Sequence, residues 1–450
     1  MSRPIRRRRP GAARRVAFGA LRAVNSQGAY ANLEISSRLA RAGLEPRDAA
    51  FATELLSGTC RLQGTYDRII ETASGRKLSS LQPAVVDALR IGAHQLLSMR
   101  VPTHAAVAAT VDLAAVEIGE RVAGLTNAIL RRVNARSLDD WVALLSRDED
   151  ELGALALRTH HPRWIAAEFV ELLGEEAETA LAANNDSPVP TLVVRPGFST
   201  VAELGGDPTR WSRFGAHRPG NPSEVDAVRQ GRAGVQDEGS QLVAAALADA
   251  DAPAGPWLDL CAGPGGKAAL LAGLAIEAGT RFIASEIAPH RARLVSDALA
   301  CYRDAARPPI TICADGREPA WPEATFARVM ADVPCTGLGA LRRRPEARWR
   351  REPSDLETLV PLQRQLLHTA LDSTVEGGLV AYVTCSPHRR ETIEVVEGVL
   401  ATTPHEVEVL RAPDLLPGIP GAALGDFVQL WGHRHGTDAM FMALLRVGRR

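Results

Sequence analysis

Two turns in the second half of the chain carry a cysteine just beyond a short apolar run: Asp332-Val333-Pro334-Cys335-Thr336-Gly337 and Thr384-Cys385-Ser386-Pro387. A single cysteine is more often packing material than a nucleophile. Two at equivalent strand ends, in turns rich in small residues and proline, suit covalent chemistry. A thiolate that adds to C6 of a pyrimidine breaks the ring's conjugation and makes C5 enamine-like, able to attack an electrophilic methyl group. A base then removes the C5 proton and the thiol leaves by elimination. One cysteine would add and the other would serve the elimination, and the residues alone do not decide which. An acid beside the ring can hydrogen-bond N3 and the exocyclic amine, and Asp332 suits that role.

A second constellation precedes the cysteines. The run Trp257-Leu258-Asp259-Leu260 leads into Cys261-Ala262-Gly263-Pro264-Gly265-Gly266-Lys267 and then a helix rich in Ala and Leu. Glycines there let the backbone approach a ligand and present N–H groups at a helix N-terminus. A Walker A loop fails, because Cys261 and Ala268 stand where it needs Gly and Ser or Thr. The dinucleotide pattern fails too, since Gly266 is adjacent to Gly265 and Ala268 takes the third glycine's place. A shorter loop for a cofactor without a pyrophosphate remains. Three later strands end in acids: Glu286, placed to accept both ribose hydroxyls, Asp315, placed to accept from an adenine amine, and Asp332. Lys267 is one of only two lysines, with Lys77, in a chain whose other basic residues are arginine.

The elements that must position these residues follow from the texture of the chain. From Val235 onward, short apolar runs (Trp257 to Leu260, Arg281 to Ala284, Ile310 to Ile312, Arg328 to Ala331, Leu379 to Val383) alternate with helical stretches. That spacing predicts a parallel, doubly wound α/β sheet over 235–450, with ligands bound beyond the carboxyl ends of its strands. Ahead of it, 14–145 shows helical periodicity throughout, with helix starts at Glu45-Pro46, Gln82-Pro83 and Val101-Pro102. Residues 146–234 read as a small α+β linking domain, with a helix opening at His160-His161-Pro162-Arg163 and a strand in Val189 to Gly197. The paired histidines lack Cys or acidic partners at ligand spacing, so no metal is expected. Residues 1–13 form a basic tail, expected to be a mobile electrostatic arm.

Composition narrows the classes. A length of 450 residues suggests two or three domains, and 46% hydrophobic residues with only 4% aromatic predicts cores of Ala, Val and Leu. No apolar run has transmembrane length, and no apolar core follows the N-terminal arginines as a secretory signal requires. Cys60, Cys261, Cys301, Cys313, Cys335 and Cys385 form no C-x-x-C pair, which argues against a zinc knuckle or disulfide scaffold and fits the cytoplasm. The net charge of -1 does not advertise a nucleic-acid binder, yet seven arginines lie in the first fifteen residues and six between Arg342 and Arg351.

The motifs Gln236-Asp237-Glu238-Gly239-Ser240-Gln241, Leu258 to Lys267, Asp332 to Gly337 and Thr384-Cys385-Ser386 resemble, in order, those of the RNA cytosine-C5 methyltransferase family known as Sun or Nol1/Nop2. The segments Ala88 to Leu97, Val101 to Val107 and Leu125 to Leu130 resemble the NusB-like RNA-binding domain. The combination is similar to the RsmB-type branch, whose members modify a cytosine in 16S ribosomal RNA. The resemblance implies a Rossmann-like class I methyltransferase fold, S-adenosylmethionine as cofactor and S-adenosylhomocysteine as product. It implies Cys385 as nucleophile and Cys335 as the group that releases the product. Cofactor binding falls to Cys261, Ala262, Gly263, Pro264, Gly265, Gly266, Lys267, Glu286, Asp315 and Asp332. In that light Arg342, Arg343, Arg344 and Arg348, with Trp349 for stacking and Arg291 as a further cation, are expected to contact RNA presented with its target base unstacked. The partner would be 16S ribosomal RNA or a small-subunit precursor, met by a monomer away from membranes. Glu286 stands where Asp is commoner, Pro387 to Glu391 lacks the family's paired acids and Asn, and Gly436 to Phe441 is less aromatic than usual. Methylation of tRNA, or an RNA-binding or antitermination role without catalysis, are the alternatives.

Overall fold

The computed structural model describes residues 10–449, so Arg3 and Arg6 to Arg9 of the expected tail lie outside the described residues. The chain divides into two compact units, one running to Asp186 and including Leu341–Arg351, the other formed by Ser187–Ala340 and Glu352–Arg450.

The first unit is helical. Pro46 and Pro83 occupy the first turn of helices Pro46–Arg61 and Pro83–Leu97, as expected, whereas Pro102 sits one residue outside helix Thr103–Glu117 as its N-cap. Gly28, Gly43 and Gly75 end helices in the left-handed conformation that costs a Cβ-free residue nothing. One core gathers Phe18, Leu21, Leu55, Leu56 and Ile91, and a second gathers Tyr66, Ile69, Leu89, Leu130 and Trp141. Each fully buried Leu or Ile contributes about 1.5–3 kcal/mol.

The linking region expected at 146–234 is not a separate body. Its helices Glu151–Arg158, Arg163–Leu173 and Ala177–Ala183 belong to the helical unit. Its strands β1 (Thr191–Val194), β2 (Asp207–Pro208), β3 (Gly215–His217) and β4 (Ala233–Val235) form an antiparallel sheet of order β2-β3-β1-β4 in the other unit. The reason is a shared core: Leu192, Val193 and Ala216 pack in one cluster with Leu242 and Val243 of helix Glu238–Asp249.

The second unit is built on strands β5 (Trp257–Asp259), β6 (Phe282–Ser285), β7 (Ile310–Ile312), β8 (Phe326–Asp332), β9 (Thr374–Thr384), β10 (Val407–Leu410), β11 (Ala423–Leu424), β12 (Phe427–Gln429) and β13 (Phe441–Val447). Their order is β11-β12-β13-β9-β8-β5-β6-β7, with β10 also on β13. The five strands from β5 to β9 are parallel, as the alternation predicted, but β13 runs antiparallel to β9 and makes the sheet mixed. Both faces are buried by alternate residues of a strand: Leu379, Ala381 and Val383 enter one core, Val380 and Tyr382 the other. Such two-sided burial leaves a run like Phe441–Val447 without a period that would announce its direction.

Candidate active site

The glycine loop leaves β5 and becomes helix Gly266–Glu277. Gly265 has φ +110°, and a Cβ there would stand 2.7 Å from that of Ala298. A Cβ at Gly263 would stand 2.1 Å from a carboxylate oxygen of Glu286, so the two turns close on each other because that side chain is missing. Glu286 accepts the Gly263 N–H at 3.1 Å and the Ala288 N–H at 3.0 Å. It therefore braces the loop from both of its oxygens. Arg291, expected to contact RNA, donates to the Gly263 carbonyl and lies 3.5 Å from Glu286, its side chain still partly exposed. Asp315 is held by Arg317, whose hydrogen bonds keep its carboxyl below the usual range.

Deeper in, Lys267 places its ammonium 2.9 Å from Asp332 Oδ2 and 3.3 Å from Ser240 Oγ. Burial works against the ammonium's charge, but the Asp332 carboxylate outweighs it and raises the lysine pKa. Asp259, wholly buried on β5, has neither oxygen hydrogen-bonded, and burial reinforced by the Asp332 charge pushes its pKa up to about 8. The Gln236 amide is also buried with both polar atoms unpartnered, its Cδ 3.7 Å from where a Gly266 Cβ would stand. The sequence placed Lys267 in the loop but did not reveal its pairing with Asp332. Asp259 carried one signal, an acid within an apolar strand.

The cysteine turns meet because β8 and β9 are parallel neighbours, with Asp332 opposite Val383. Cys335 Sγ lies 3.4 Å from Cys385 Sγ. The bond to Cys385 and then burial raise the Cys335 thiol well above its ordinary pKa, holding its proton. Cys261 is also pushed up, by burial and the Asp259 carboxyl.

The arginine stretch corrects an expectation. Leu341–Arg351 packs with the helical unit rather than the sheet. Arg348 is fully buried and donates to the carbonyls of His160 and Asn184 and to the Asn185 side chain. The Trp349 indole donates to the Cys60 carbonyl at 2.8 Å, its ring lying where a side chain at Gly64 would be. Arg348 thus fills the fold and is not offered to RNA, while Trp349 is half-buried. Arg344 remains exposed, its guanidinium 5.4 Å from the Tyr30 ring centroid, and Arg342 and Arg343 are half-buried. Among the described residues no helix is long and apolar enough to cross a membrane, and no group of three or more His, Cys, Asp or Glu is arranged to hold a metal ion.

Comparison with known proteins identifies the assembly. Residues 244–446 match the model of the 16S rRNA methyltransferase RsmB/F family, and residues 11–135 match the NusB family. The Pseudomonas putida (strain KT2440) ribosomal RNA small subunit methyltransferase B is 31% identical, over 96% of this chain and 98% of its own. The chain belongs to the RsmB/F methyltransferase family. This RsmB/F member is thus an S-adenosylmethionine-dependent RNA methyltransferase with an N-terminal NusB domain, which removes the non-catalytic alternative. A Mycobacterium tuberculosis (strain H37Rv) protein, Rv1407, provisionally named a methyltransferase, is 47% identical over 99% of this chain and 98% of its own. The crystal structure of PH0851 shares the fold of the RsmB/F member, with a TM-score of 0.83 at 22% identity over 99% of each chain.

Proposed function

We propose that this protein methylates C5 of a cytosine in 16S ribosomal RNA, in the cytoplasm, through a covalent bond between Cys385 and C6 of the base. The observation that carries the reading is the pair of sulfur atoms 3.4 Å apart at the ends of neighbouring strands.

The cofactor fits the loop by its chemistry. The methionine end of S-adenosylmethionine carries an ammonium and a carboxylate. The site offers the unpartnered Asp259 carboxyl, the unpartnered Gln236 amide and the N-terminus of helix Gly266–Glu277. The residues from Cys261 to Lys267 would line it, Glu286 would take the ribose and Asp315 the adenine amine, with Arg317 giving way. When bound, S-adenosylmethionine supplies the methyl group that C5 takes up.

The rest is done by the chain's own residues. Lys267 and Asp332 present a donor beside an acceptor, which matches N3 and the exocyclic amine of cytosine and excludes the reversed pattern of uracil. The Cys385 thiolate forms the bond to C6, and the displaced electron density moves onto the ring, where the Lys267 ammonium stabilises it. Bonding of Cys385 to carbon removes the largest of the causes that raise the Cys335 thiol, which gives up its proton to water. The Cys335 thiolate then takes the proton from C5, the C5–C6 double bond re-forms, and the C6–S bond breaks to return Cys385 as thiolate.

Mass spectrometry of nucleosides from 16S ribosomal RNA and from tRNA of a deletion strain tests the substrate. Loss of 5-methylcytidine from one position of 16S RNA, restored by the wild-type chain, is expected. An unchanged 16S profile with loss from tRNA contradicts the assignment.

A further inference from the structure

Thr336 and Ser386 each follow one of the two cysteines, and their hydroxyl oxygens lie 3.1 Å apart. Behind them sits Glu391, fully buried. Its Oε1 accepts the Thr336 backbone N–H at 2.8 Å, and its Oε2 accepts the Thr336 hydroxyl. Gln363, on helix Leu356–Asp372, donates from one amide nitrogen to Glu391 Oε1 at 3.0 Å and to the Pro334 carbonyl at 2.9 Å. The Tyr382 hydroxyl fixes the backbone of Glu391 by donating to its carbonyl at 2.7 Å. One carboxylate thus collects both donors of the residue after Cys335, and a third from the amide that also holds the residue before it.

We infer that Glu391 is a positioning residue that sets the Cys335 turn against the Cys385 turn, so that the second sulfur reaches C5 when the first is bonded to C6. A carboxylate suits the place because it accepts at both oxygens. Removing it takes the acceptor from the Thr336 N–H and turns the Thr336 hydroxyl toward Ser386, 3.1 Å away, so the turn shifts toward its other partners. The turns would not separate, because the Gly339 N–H also donates to the Cys385 carbonyl at 2.9 Å and the β8–β9 pairing is untouched. The defect is a misplaced Cys335 rather than a lost strand. Misplacement on the order of 1 Å lowers a rate about 10²-fold.

The inference rests on the covalent reading, so the experiment includes Cys335→Ala, which removes the releasing thiol outright. Full-length wild type, Cys335→Ala, Glu391→Ala and Glu391→Gln are incubated with 16S RNA transcript and S-adenosylmethionine. Turnover is followed, and protein–RNA adduct is quantified on denaturing gels. Glu391→Ala is expected to lower kcat roughly 30- to 100-fold, leave KM for the cofactor within about twofold, and accumulate adduct as Cys335→Ala does. Glu391→Gln keeps the Oε1 contacts and is expected to recover most of the rate; if the alanine variant is insoluble, the same split at smaller amplitude in the glutamine variant decides. Wild-type kcat in Glu391→Ala, or a lowered kcat without adduct while Cys335→Ala traps one, overturns the inference. Absence of adduct from Cys335→Ala overturns the covalent reading beneath it.

Discussion

Lys267 and Asp332 stand 65 residues apart in sequence and 2.9 Å apart in the fold, the lysine side chain only 11% exposed. The pair joins the end of the cofactor loop to the strand that leads into Cys335. In the proposed function it links the element that would hold the methyl donor to the one that would read the base.

Replacing Lys267 by Met keeps the length of the side chain and removes the donor. The variant is expected to lower the single-turnover methylation rate by about 10²-fold or more, with a smaller loss of cofactor affinity. Rapid-quench assays with labelled cofactor, beside calorimetric binding, separate the two effects. A loss confined to binding would make Lys267 a loop residue only.

Asp259 gives the fold a pH dependence whose sign is fixed by its buried carboxyl. Its folded pKa of about 8 lies above the ordinary 3.8, so between those values the folded state holds a proton that the unfolded chain has released. That stability is fully present below pH 3.8 and is lost as pH rises through 8. From this group alone, urea unfolding of the protein without cofactor is expected to weaken by several kcal/mol between pH 5 and pH 9. Asp259→Asn should flatten that slope; an unchanged slope in the variant would place its origin elsewhere.

Arg348 is expected to act on stability. Arg348→Ala leaves two backbone carbonyls and the Asn185 side chain without their donor inside the helical unit, a loss of about 2–5 kcal/mol. Arg344→Ala, at an exposed position, should leave the melting temperature unchanged and reduce the salt dependence of RNA binding. Calorimetry and filter binding on both variants check the division. Equal melting temperatures in the two would contradict it.

Legibility in the sequence followed the range of the forces. Strand ends, the glycine loop, the acids after β6 and β7 and the acid that ends β8 were readable because local spacing fixes them. That Cys335 and Cys385 share one sheet edge followed from two similar turns on a parallel sheet; their contact needed the β8–β9 pairing. The Lys267–Asp332 pair and the hold of Glu391 on Thr336, 55 residues away, depend on strand order and side-chain reach, which no local pattern encodes. Arg348 and Trp349 look like surface recognition residues in a basic run. Only the packed helices show that three acceptors and the space over Gly64 absorb them. The direction of β13 was hidden for a different reason, burial on both faces, which erases the alternation that reports exposure.

The most direct test maps the covalent bond itself. Cys335→Ala protein is incubated with 16S RNA transcript and S-adenosylmethionine, the adduct is digested with nuclease and protease, and peptides are sequenced by mass spectrometry. A nucleotide bearing one extra methyl group on the peptide that contains Cys385 is the expected result. A nucleotide on any other cysteine, or none at all under conditions where wild type turns over, would contradict the account.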